Sequence, residues 1–136
     1  MVYRQEEKEK MALLLEMFQS FVRGQSYFDI VYSEKLGYLR IVPGSDTADD
    51  QVFRISDFDE LLRCLINDMI FERMYPDFSS NPSPVDFGEM RRLCESKLCF
   101  TPTEDRHCLE IIDTCIEKWK QDEPFDNGWM SKKAYH

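Results

Sequence analysis

One segment limits what this chain can become: residues 57–74 repeat apolar side chains at helical spacing on more than one side of a single helix. Phe58, Leu61, Leu62, Leu65, Ile66 and Met69 make a broad apolar face, and Ile70, Phe71 and Met74 spread around the far end. That is more than one contact surface requires. The surplus is either buried between other helices or left as a sticky groove for a partner, including a larger assembly that would cover Ile70, Phe71 and Met74. The start of this helix is equally marked. Ser56 offers a hydroxyl cap, and Asp57, Asp59 and Glu60 oppose the positive end of the helix dipole.

Upstream of this helix the apolar period changes. Residues 27–32 and 38–42 are rich in aromatic and β-branched side chains and flank Ser33-Glu34-Lys35-Leu36-Gly37, which reads as a hairpin with Phe28, Ile30 and Tyr32 on one face. Pro43-Gly44 ends the second strand, and residues 52–55 return as a third, which an otherwise marginal two-stranded hairpin needs. Before the hairpin, Met11, Leu14, Leu15, Phe18, Phe21 and Val22 recur at steps of three and four, predicting one amphipathic helix over residues 3–24. Its mixed-charge polar face, with Glu6 and Lys10 spaced as an i,i+4 pair, reads as solvated.

After the long helix, Asp77 to Ser83 (DFSSNPS) is a loop by composition. Ser83-Pro84 then supplies a cap and a first-turn proline for a helix to about Leu98, with Phe87, Met90, Leu93 and Cys94 inward. Thr101-Pro102-Thr103-Glu104 is a capping box with proline at the first helical position, opening a helix over 102–121 that carries Cys108, Leu109, Ile111, Ile112, Cys115, Ile116 and Trp119 at core spacing. The predicted fold is α+β: an N-terminal helix, a hairpin or three-stranded meander, then three helices packed on one face of the sheet. Residues 1–124 are expected to form one domain, and residues 125–136 a mobile tail with Trp129 and Tyr135.

No segment of about 18 apolar residues is present, and the first residues are charged rather than apolar, so the expectation is an intracellular, cytoplasmic protein without a membrane span. Five cysteines, an odd number, suit reduced thiols better than a disulfide framework. Cys94, Cys99, His107 and Cys108 are the residue types of a zinc site or a thiol enzyme. Their spacing argues against zinc, since paired ligands usually stand two to four residues apart at both ends. No Gly-rich anion loop or nucleophile elbow occurs, and Asp46, Asp49 and Asp50 lack the glycine and terminal glutamate of a calcium loop. The expectation is therefore no cofactor, no metal and no catalytic residue.

Charge is the remaining signal. Residues 43–89 hold eleven acids against three arginines, a balance of −8 in a chain whose net charge is −9. Such a field repels phosphates and draws basic surfaces, which disfavours direct nucleic-acid binding. The reading is a small acidic interaction protein, an adaptor or inhibitor, docking through Asp46, Asp49, Asp50, Asp57, Asp59, Glu60 and Asp68 on a basic protein. That partner could be one that otherwise holds nucleic acid, with a DNA-mimic inhibitor of a nuclease as the sharpest version. Two other readings stay open: a Cys/His metal or thiol module, and acidity that serves only solubility.

Overall fold

The computed structural model describes residues 2–76 and 81–121. The predicted loop at residues 77–83 falls partly, and the predicted tail at 125–136 wholly, outside them. The chain is α+β in the expected order: helices α1 (Gln5–Met17) and α2 (Gln19–Gly24), strands β1 (Asp29–Ser33), β2 (Gly37–Val42) and β3 (Gln51–Arg54), then helices α3 (Phe58–Met74), α4 (Phe87–Lys97) and α5 (Pro102–Gln121). Its contacts group into two compact units, Met1–Cys64 and Leu65–His136, with the boundary inside α3.

In the first unit the three strands form an antiparallel sheet in the order β1-β2-β3. The β1–β2 register pairs Tyr32 with Tyr38 and Ile30 with Arg40, and the β2–β3 register pairs Arg40 with Phe53 and Ile41 with Val52. One sheet face therefore carries Ile30, Tyr32, Tyr38, Arg40 and Phe53, where the Arg40 guanidinium lies 5.1 Å from the Phe28 ring centre and 5.6 Å from that of Phe53. The third strand is real and begins one residue earlier than predicted.

The predicted single helix over 3–24 is broken. At Phe18 the backbone leaves helical values (φ −104, ψ 14), although no glycine or proline stands there. The break falls at a fully buried ring, whereas Leu15, Phe21 and Val22, predicted inward, are only half-buried. The polar face of α1 is also more than solvated. Lys10 lies 4.6 Å over the Phe58 ring, Lys8 4.6 Å over the Tyr32 ring, and Glu7 accepts the Phe58 N–H at 3.2 Å.

Tyr3 and Gln25 join these parts. The Tyr3 hydroxyl accepts the Tyr38 N–H at 2.9 Å and donates to the Ile55 carbonyl at 2.5 Å, closing the end of the β2–β3 ladder from outside the sheet. Gly37 must be glycine beneath it: its φ is +82, and a Cβ there would come within 2.5 Å of the Tyr3 oxygen. The Gln25 amide donates to the carbonyls of Val22 and Phe28 and accepts the N–H groups of Tyr27 and Phe28, fixing the passage from α2 to β1.

Helix α3 starts one residue later than Ser56 suggested. Asp57 accepts the Glu60 N–H at 2.8 Å and is the cap, while Ser56 donates its hydroxyl to Glu60 at 2.8 Å from just outside. Phe58, Leu61, Leu62, Leu65, Ile66 and Met69 are buried as predicted, and so are Ile70 and Met74. Phe71 alone of the far-end residues stays exposed, its ring 5.1 Å from that of Tyr75.

In the second unit α4 begins at Phe87 rather than after Ser83, with Asp86 accepting the Glu89 N–H at 3.0 Å. Ser83 is engaged elsewhere, its N–H donating to the Met74 carbonyl at 2.7 Å. The capping box of α5 forms as read: Thr101 donates its hydroxyl to Glu104 at 2.9 Å and accepts the Glu104 N–H at 3.2 Å. Arg91 on α4 grips Asp113 on α5 with two bonds of 2.7 and 3.3 Å, and the Trp119 indole donates to Asn67 of α3 at 3.0 Å.

Candidate functional site

The acidic set divides into two groups with different surroundings. The first sits on the β2–β3 connection, which is itself a built turn. Ser45 and Ala48 pair across it through bonds of 2.9 and 3.3 Å, leaving Asp46 and Thr47 at the tip. Ser45 Oγ lies 3.2 Å from Thr47 Oγ1 and accepts the Thr47 N–H. Asp50 closes the base by accepting the Gly44 N–H at 2.6 Å. A side chain on Gly44 would collide with the Ala48 carbonyl, so the closure requires glycine. Asp46, Asp49 and Asp50 are all exposed, and the carboxylates of Asp46 and Asp49 have no partner among the described residues.

The second group is less free than the sequence suggested. Asp57, Asp59, Glu60 and Asp68 were expected to be exposed; each is half-buried. Asp57 and Glu60 use oxygens on the start of α3, because free N–H groups at a helix start are satisfied most readily by nearby side-chain oxygens. Asp68 belongs to the second unit, and Asp59 and Asp68 both have interactions of their own. Outside this set, Arg91 pairs with Asp113 at 2.7 Å and approaches Glu95 at 3.6 Å.

Cys94, Cys99, His107 and Cys108 differ in exposure as well as in spacing. Cys94 and Cys108 are buried on α4 and α5, while Cys99 and His107 are exposed. Burial pushes the Cys94 thiol up to about 11, against the thiolate that metal binding or nucleophilic attack uses. Among the described residues no group of three or more His, Cys, Asp or Glu side chains is placed to hold a metal ion. An open depression of about 330 Å³ in the first unit, lined by Ala12, Leu15, Glu16, Gln19, Val22, Arg23 and Ile30, brings together one acid and one base at an apolar floor. No histidine or cysteine reaches it.

Sequence reading missed the structural part of Asp50, the turn that presents Asp46, and the open edge beside it. The glycine at position 44 following Pro43 was the available signal for the turn. Among the described residues no helix is long and apolar enough to cross a membrane. Comparison with protein-family models, with curated proteins and with solved structures found no match to this chain.

Proposed function

We propose that this is a non-catalytic interaction protein, an adaptor or inhibitor, that docks on a basic protein surface through the acidic turn of residues 44–50. One observation supports this most: three exposed carboxylates stand on a turn held by its own hydrogen bonds, and two of them have no partner among the described residues. Carboxylates presented in this way keep their charge available while the backbone that carries them is already ordered, which lowers the cost of association. The half-buried acids at the start of α3 add to the field rather than to the contact.

The test is affinity purification from the native host, followed by binding of the recovered partner across a salt series. Electrostatic docking predicts a basic partner whose affinity falls as salt rises. An affinity indifferent to ionic strength removes the reading.

A further inference from the structure

Beside the acidic turn the sheet ends in a strand with nothing paired to its outer side among the described residues. The Ile55 N–H donates to the Tyr38 carbonyl at 3.0 Å. Bonded and non-bonded pairs alternate along an antiparallel ladder, so in the observed register the main chains of Gln51 and Phe53 face β2. The N–H and C=O groups of Val52 and Arg54 therefore face outward. All four residues of β3 are exposed, and Val52 at 56% and Phe53 at 47% are the most exposed large apolar side chains among the described residues. Edges are commonly blunted by a short strand, a charged side chain, proline or a bulge. This one is four residues long and carries Arg54, but it has no proline and its register is continuous, so the main-chain groups of Val52 and Arg54 stay open.

We propose that the β3 edge receives an extended segment of a basic protein, which adds to the sheet as a fourth strand. The inference rests on the docking reading above and specifies where the partner chain lies and in what conformation. Charge decides the occupant. Residues 44–60 carry six acids and one arginine, with Asp46, Asp49 and Asp50 before the strand and Asp57, Asp59 and Glu60 after it. A second copy of this chain would bring the same acids to the seam and be repelled, whereas a segment with lysine or arginine at both ends is attracted to both. At about 3.3 Å per residue, a segment of roughly eight residues reaches from one acidic end to the other. Its middle is apolar, to cover Val52 and Phe53, and the position opposite Arg54 is neutral or acidic. Main-chain bonds to Val52 and Arg54 supply the pairing, as in other strand-addition complexes.

The probe is a synthetic peptide of about nine residues, alternating valine and threonine with two lysines at each end, matched to the length the edge allows. Its control has the same sequence with alternate backbone nitrogens methylated on the pairing side. At low salt the unmethylated peptide is expected to bind, to slow hydrogen exchange at the Val52 and Arg54 amides, and to exceed the methylated peptide by about tenfold in affinity. Val52→Pro, which removes one outward N–H and leaves the bonds to β2 intact, is expected to lose about the same factor with an unchanged far-ultraviolet spectrum. Equal binding of the two peptides overturns strand addition and leaves electrostatic docking standing. Binding of neither peptide overturns the docking of a basic segment as well. Protection of Val52 and Arg54 that grows with protein concentration, without peptide, assigns the edge to a second copy and overturns the proposal.

Discussion

At the scale of single residues, Tyr3 holds more of the fold together than its place before the first helix suggests. It is 4% exposed, stacks on Tyr38 with ring centres 6.1 Å apart, and bridges two main-chain groups that the ladder leaves apart. Tyr3→Phe keeps the ring and strands both groups, which should cost about 2–3 kcal/mol in denaturant unfolding. Burial also raises the Tyr3 hydroxyl above its ordinary 10.0, and Tyr38 is raised for the same leading reason. A raised value means the unfolded chain loses the proton first. The stability from the neutral hydroxyl is therefore complete below pH 10 and is lost as pH climbs through the folded value. Stability curves of wild type and Tyr3→Phe should converge above pH 10. A gap that stays constant with pH would show that the hydroxyl is not the group responsible.

Cys94 and Cys99 give a second contrast at this scale. Cys94 is fully buried with its thiol pushed up to about 11, while Cys99 is exposed. Alkylation of the native protein at pH 8 followed by mass spectrometry should label Cys99 rapidly and leave Cys94 unlabelled until the protein unfolds. Equal labelling of the two would contradict the packing of α4.

At the scale of elements, helix starts decided where sequence reading succeeded. Thr101 and Glu104 had no competitor, and α5 begins where they place it. Thr101→Ala should cost about 1 kcal/mol, read as a lowered melting temperature, because the hydroxyl satisfies the Glu104 N–H and holds the Glu104 carboxylate. Ser56 and Ser83 each had an aspartate downstream able to do the same job. Asp57 and Asp86 took it, and the two helices start later. The break at Phe18 had no signal in the sequence, since no glycine or proline stands there and the ring at the break is buried like its helical neighbours Met11 and Leu14. The three strands were legible from their β-branched and aromatic content, but the tie from Tyr3 to Tyr38 and Ile55 was not. A contact across 35 or 52 residues leaves no local pattern.

At the scale of the whole molecule, the charge asymmetry was readable from counting alone, and its presentation was not. The balance of −8 over residues 43–89 is a property of the sequence. Within the proposed docking set the acids differ by their hydrogen bonds: Asp57 and Glu60 are engaged at a helix start, Asp50 closes a turn with one oxygen, Asp59 and Asp68 have interactions of their own, and the carboxylates of Asp46 and Asp49 have no partner among the described residues. The docking account therefore rests on residues 44–50 more than on the longer acidic set. It is tested most directly by binding of the purified partner to wild type and to the triple substitution Asp46→Asn, Asp49→Asn, Asp50→Asn across a salt series. Asparagine at position 50 keeps the oxygen that accepts the Gly44 N–H, so the turn survives while three charges go. The account predicts an affinity that falls with salt in the wild type, and a weaker affinity with a shallower salt dependence in the variant. Identical salt curves for the two proteins would contradict it.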